Sequence, residues 1–284
     1  MYKTVLAILG ILFLIFIIFF MGGIYFTNDY VSEEVDKLIE HAGDTQAGTF
    51  SYSQLDTLPP VLQNYFTKVL NDGMDKPVFV RLKQNGFFKN NFNSGFKKLT
   101  AEQYYITDKP GFLWKGTIDF MPAIWMTGID SYNNGRGDLV IKFMSGATIT
   151  NESGMEINQA QLARWITETP WFPAALLPGG CVTWVESGSA SATASIKVDT
   201  IEVKAKFHFS EDGLIDKVTT ERYMTTIAGP KLTGFTGYFS DYKRFGGVLI
   251  PAHAEVEWNL DDQDFRYGKF NITEIEFDKL SEFE

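Results

Sequence analysis

The sequence predicts an α+β chain: an N-terminal transmembrane helix, then a large curved antiparallel β-sheet with helices packed on its concave face. Three observations predict it. An uncharged apolar run stands at the N-terminus. Many segments after residue 73 alternate apolar and polar residues at period two, separated by turn residues. A single helical insert interrupts that series, whereas a βαβ fold would alternate strand with helix throughout.

From Val5 to Phe26 the chain reads VLAILGILFLIFIIFFMGGIYF, without a charge. At 1.5 Å per residue this covers about 33 Å, enough for a hydrocarbon core of about 30 Å. A cleaved signal peptide would have a shorter apolar stretch and end at small residues. This run ends in Ile24, Tyr25 and Phe26, which favours an uncleaved signal anchor. Lys3 precedes it, and Asp29, Glu33, Glu34 and Asp36 come before the next base, Lys37. The Lys/Arg bias therefore places the N-terminus in the cytoplasm and the rest outside, facing the periplasm or the exterior. The expected division is an anchor over 1–28, a juxtamembrane helix and linker over 29–53, and a soluble β-rich domain over 54–284.

In the juxtamembrane segment, Val31, Val35, Leu38 and Ile39 recur at helical spacing, an apolar stripe that could serve as an assembly surface. The linker-like stretch is Gly43–Ser53. Pro59 and Pro60 open a helix running to Leu70, with Val61, Leu62, Tyr65, Phe66 and Val69 on one side. Strand signals follow. Val78, Val80 and Leu82 alternate with Phe79, Arg81 and Lys83. The runs 99–107 and 111–120 flank a Pro-Gly turn. The runs 124–132 and 138–144 flank Asn133-Asn134-Gly135-Arg136-Gly137, a hairpin signal. The clearest alternation is Ile201, Val203, Ala205, Phe207 and Phe209, with Glu202, Lys204, Lys206 and His208 between them. Ala254, Val256, Trp258 and Leu260 alternate with Glu255, Glu257, Asn259 and Asp261 in the same way. The insert Met155–Thr169 is helical and stops at Pro170-Trp171-Phe172-Pro173, with a short helical turn over 174–177. This amounts to about ten or eleven strands.

Composition narrows the function. The 284 residues carry 25 Lys+Arg against 35 Asp+Glu, a formal charge of -10, so no basic excess is available for a nucleic-acid backbone. One cysteine, Cys181, excludes an intramolecular disulfide framework and a multi-cysteine zinc site. It reads as a small buried hydrophobe or, alternatively, a reactive thiol. Standard nucleophile-elbow, phosphate-loop, dinucleotide and zinc-protease motifs are absent, so no catalytic residue and no cofactor is assigned. His208, His253 and Glu255 could form a metal site only if their strands were neighbours.

Aromatic residues make up 15% of the chain, 25 of them Phe, and two clusters stand out. Gln161, Arg164, Trp165 and Glu168 share a helical face by i,i+3 and i,i+4 spacing, with Trp171 following. They read either as a surface ion pair over a core tryptophan or as the mouth of a cavity. Tyr238, Tyr242 and Trp258 form the second cluster, the two tyrosines sharing a face at period two. Arg164, Trp165, Glu168, Trp171, Tyr238, Tyr242 and Trp258 are the ligand-cavity candidates. An enzymatic reading would use Arg164 and Glu168 with Tyr238 or Tyr242 as acid–base groups.

The block Arg164-Trp165…Glu168…Trp171-x-Pro173 carries a resemblance, with Leu58-Pro59, Phe112-x-Trp114 and Arg222-Tyr223. From about residue 54 onward the chain resembles an uncharacterised bacterial family of membrane-anchored domains of unknown function. Its strand-rich layout is also similar to the lipoprotein-carrier fold of the LolA/LolB type, an antiparallel half-barrel with helices plugging its concave face. The resemblance implies an architecture and no reaction. The expected function is binding of a lipid, lipopeptide or other amphiphile by an anchored extracytoplasmic domain. A structural or partner-binding ectodomain is the alternative, with no protein partner named, and an envelope hydrolase is the third reading.

Overall fold

The computed structural model describes residues 2–43 and 48–283; residues 44–47 of the Gly43–Ser53 linker lie outside the described residues. The helices are α1 (Tyr2–Gly43), α2 (Pro60–Val69) and α3 (Met155–Glu168). The strands are β1 (Phe79–Phe88), β2 (Lys97–Ile106), β3 (Gly111–Met121), β4 (Ile124–Asn133), β5 (Arg136–Phe143), β6 (Ala147–Ser153) and β7 (Val182–Ser187). They continue with β8 (Ser191–Val198), β9 (Ile201–Phe209), β10 (Ile215–Thr226), β11 (Gly229–Phe245), β12 (Val248–Asn259) and β13 (Phe265–Phe277).

All thirteen strands form one curled antiparallel half-barrel in the order β6-β5-β4-β3-β2-β1-β13-β12-β11-β10-β9-β8-β7. Consecutive strands are neighbours in space except β6 and β7, which form the two edges, and β1 pairs with β13 in the middle of the sheet. Hairpin connections suffice for this meander, and Asn134 (φ 48) with Gly135 (φ 80) makes the expected left-handed hairpin turn. The count exceeds the expected ten or eleven. β6 is the clearest reason: it is an edge strand with no buried side chain, so its sequence, ATITNES, carries no burial pattern. The chain leaves this edge, crosses the inner face as α3 and two 3-10 turns (Thr169–Trp171 and Pro173–Leu176), and re-enters the sheet at the opposite edge, β7.

The larger core lies on that inner face. Leu62, Tyr65, Phe66 and Val69 of α2, Leu162, Trp165 and Ile166 of α3, and Trp171 and Phe172 pack onto the inward residues of the sheet. Inward residues alternate as the pleat requires: Val203, Ala205, Phe207 and Phe209 are buried on β9, with the charged residues between them exposed.

The helices do not all occupy the concave side. α1 runs unbroken through the expected anchor and juxtamembrane segments, about 63 Å at helical rise. Its C-terminal half lies on the outer face. Val31, Val35, Leu38 and Ala42 bury against Phe79, Tyr104, Ile106, Leu113, Ile129 and Val140. This packing explains why Phe79, Tyr104, Leu113 and Ile129 are apolar although they face away from the larger core. It also corrects the assembly-surface expectation, because the stripe Val31–Ile39 is spent on the chain's own sheet. His41 bonds Asn133 at 2.7 Å, and Lys115 donates to Asn28 at 2.8 Å. The N-terminal part of α1 is exposed, and it is long and apolar enough to cross a membrane.

Candidate functional site

The sequence predicts one helical face carrying Arg164 and Glu168. The sheet supplies what that helix lacks. Arg164 projects from α3 onto the inner face, where its Nε donates to Glu168 Oε1 at 2.9 Å and its Nη1 to Asp130 of β4. The second Glu168 oxygen accepts from Gln103 Nε2 and from Tyr105 Oη, both at 2.8 Å. The guanidinium lies 4.9 Å from the Trp114 ring and 5.2 Å from the Phe112 ring. Trp114 in turn donates to Gln84 Oε1 at 3.2 Å. Burial works against the Arg164 charge, but Glu168 and Asp130 outweigh it and hold its pKa above the ordinary arginine value. Burial, reinforced by Glu168, raises the Tyr105 phenol well above its usual range, so it stays a neutral donor.

Beside this network is a cleft lined by Gln84, Arg164, Glu168, Trp171, Phe239 and Phe270, among others. Its volume is about 20 Å³, room for roughly one water. The aromatic rings therefore fill the half-barrel: Trp171 meets Phe239 edge-on at 6.1 Å, and Phe172 lies 4.3 Å from Tyr105. Further along the inner face, Arg222 of β10 is buried at 8% exposure. Its guanidinium lies 5.3 Å from the Phe235 ring and 5.6 Å from the Trp258 ring. No carboxylate pairs with it among the described residues, and its Nε has no hydrogen-bond partner. Burial lowers its pKa below the ordinary arginine value, and Arg164 adds to that effect.

Of the predicted residues, Arg164, Glu168 and Trp171 meet at the cleft. Trp258 joins the Arg222 cluster, 6.2 Å from the Tyr267 ring in a stacked arrangement. Trp165 is fully buried in the core and donates to the Ile106 carbonyl at 3.0 Å. The two tyrosines part company, contrary to their period-two spacing. Asp241 adopts a left-handed conformation (φ 55) between them. Tyr238 lies on the outer face, bonded to Glu257 at 3.0 Å and under Arg266, while Tyr242 donates to the Ile215 carbonyl at 2.7 Å. Neither reaches Glu168, so the acid–base grouping expected of an enzyme does not assemble. Nor does the histidine set: β10 and β11 separate His208 on β9 from His253 on β12.

Asp130, Gln84, Gln103 and Tyr105 escaped the sequence reading. The signal was present, since Gln84 and Gln103 interrupt otherwise apolar inward series, Val80-x-Leu82-x-Gln84 and Leu99-x-Ala101-x-Gln103. Cys181 is largely buried, and burial pushes its thiol up to about 12. It therefore remains protonated far above neutral pH. At pH 8 its reaction with a maleimide should be slower in the folded chain than in the denatured one, by on the order of 100-fold. Comparable rates in the two states would restore the reactive-thiol reading.

One family's sequence profile matches residues 56–277. The chain belongs to that family, DUF6920, whose function is unknown. No curated protein matches it. The DUF6920 half-barrel is similar to a LolA superfamily protein from Nitrosomonas europaea, at 7% identity and a TM-score of 0.40, over 76% of this chain and 91% of that one. It is also similar to a DUF1329 family protein from Desulfovibrio piger, at 10% identity and a TM-score of 0.37, over 87% of this chain and 93% of that one.

Proposed function

We propose that this DUF6920 chain is a membrane-anchored domain that binds an anionic amphiphile between its sheet and the α3 insert. Residues 1–28 anchor it, and residues 54–284 face away from the cytoplasm. The observation that carries the reading is a set of buried polar atoms without partners: Gln84 Nε2 and Trp171 Nε1 in the lining of the apolar cleft, and, one residue behind it, Arg222 Nε beside the lining Phe235 and Gln103 Oε1, whose amide holds the lining Glu168. Leaving such a group unpaired costs about 1–3 kcal/mol, and a few convergent polar groups in an apolar lining are what ligand sites use. A carboxylate or phosphate head answers Arg222, and a hydrocarbon tail replaces the packing of Trp171 and Phe239. The closed cleft holds roughly one water, so binding requires α3 and the following 3-10 turns to lift. Pro170 and Pro173 lie within those turns.

The small cleft also favours a second reading, a packed structural or partner-binding ectodomain. Native mass spectrometry of the full chain released from detergent separates the two. The expected result is an adduct of defined lipid mass. A bare chain under conditions that preserve the fold overturns the binding reading and leaves the structural one. A phosphatase fused to the C-terminus should be active outside the cytoplasm, and a cytoplasmic fusion overturns the orientation.

A further inference from the structure

The geometry points to the tips of the β3–β4 and β5–β6 hairpins as a bilayer-docking surface, seated in the lipid headgroup region beside the emerging anchor. This rests on the reading of α1 as a membrane anchor and adds how the domain sits on the membrane.

The last two turns of the uncharged run do not leave the domain behind. Phe20 packs edge-on against Trp125 of β4, with ring centroids 5.3 Å apart. Gly23 lies so close to the Gly146 backbone that a Cβ there would overlap it. Thr27 donates to the Ser145 carbonyl at 2.6 Å. Phe20 and Gly23 belong to the apolar segment Val5–Phe26, and Gly23 is only about 5 Å of helical rise from its end. The β5–β6 turn is thus held level with the edge of the span.

That turn is built for the contact. Met144 (φ 49) and Ser145 (φ 57) both adopt left-handed conformations without being glycine, a strain that persists only where surrounding contacts impose it. Ser145 Oγ accepts from Trp125 Nε1 at 3.1 Å and lies 3.0 Å from Thr127 Oγ1, while its carbonyl holds α1. Around it the hairpin tips expose large apolar side chains. Met121 is 59% and Ile149 60% exposed, and Phe120, Phe143 and, in the neighbouring β1–β2 connection, Phe96 are exposed too. Lys97, which donates to the Phe120 carbonyl at 3.3 Å, sits among them with Lys98 as its chain neighbour. Apolar tips, an indole and lysines beside a membrane helix are the composition of an interface with lipid headgroups. The other end of β4 and β5 presents Asn134 and Arg136 instead, about 25 Å away at strand rise.

The test uses the full chain with Cys181→Ala, carrying Met121→Cys, Ile149→Cys or Arg136→Cys. Each is labelled with an environment-sensitive fluorophore and reconstituted into phosphatidylcholine–phosphatidylglycerol vesicles containing nitroxide-labelled lipid. Probes at 121 and 149 should be blue-shifted and quenched several-fold more than the probe at 136. If the chain resists carbonate extraction yet 121 and 149 are as water-exposed as 136, the docking is overturned and the anchor stands. Equal quenching at all three positions also overturns docking by the tips. Release of the chain by carbonate overturns the anchor and the docking together.

Discussion

Replacing Arg164 by Met should destabilise the folded chain by about 3–5 kcal/mol, the loss expected when one partner of a buried ion cluster is removed. Arg164 is 11% exposed at its side chain, and Asp130 and Glu168 are 15% exposed each. Methionine leaves both carboxylates on the inner face without a cation. Glu168 keeps its bonds from Gln103 and Tyr105, so Asp130 is the more exposed to the loss. The triple variant Arg164→Met, Asp130→Asn, Glu168→Gln should recover part of the stability, because it removes the stranded charges. Arg164→Lys should not rescue fully. The guanidinium serves Glu168 through Nε and Asp130 through Nη1, two directions that a single ammonium does not reproduce. Denaturant unfolding of the detergent-solubilised chain, followed by tryptophan fluorescence, checks this. A loss of less than about 1 kcal/mol would show that the cluster behaves as a surface pair.

That surface-pair reading was a fair inference from the sequence, and its failure shows where sequence patterns lose their grip. Periodicity reports which residues share a face of their own element, so α3, α2 and β9 are legible almost to the residue, whereas in β12 only the half from Ala254 onward shows the alternation and the strand already begins at Val248. It does not report what lies across from that face. Glu168 and Arg164 were visible as neighbours at i,i+4, whereas Asp130, Gln103 and Tyr105 join them only because β2 and β4 lie beneath α3. Local backbone departures are equally silent. Aspartate tolerates the left-handed region better than most residues, but nothing in the sequence distinguishes Asp241 (φ 55) from the other aspartates, yet it separates Tyr238 from Tyr242. The placement of α1 was hidden for a third reason. Its stripe of Val31, Val35 and Leu38 is apolar whether it meets a partner, a membrane surface or its own sheet. The deciding clue was distributed over Phe79, Tyr104, Leu113 and Ile129, outward positions on four different strands.

Arg222→Leu should have the opposite sign to Arg164→Met, raising stability by about 1–4 kcal/mol, as apolar replacement of buried charge does in well-packed surroundings. Two buried arginines on one inner face differ only in company. Arg164 has two carboxylates. Arg222 has the faces of Phe235 and Trp258, and the nearby acids are already committed to Arg164. Ring contacts of this kind return about 0.5–2 kcal/mol, less than the several kcal/mol that taking a guanidinium out of water costs. Leucine keeps most of the contact with the two rings and removes the charge. A position that weakens the fold and strengthens a binding site is the trade expected of a functional residue. The same substitution should therefore abolish the lipid adduct while the melting temperature rises. A destabilised variant that still carries the adduct would mean that Arg222 is a packing residue whose charge is satisfied by water at the cleft, and the anionic character of the proposed ligand would lose its support.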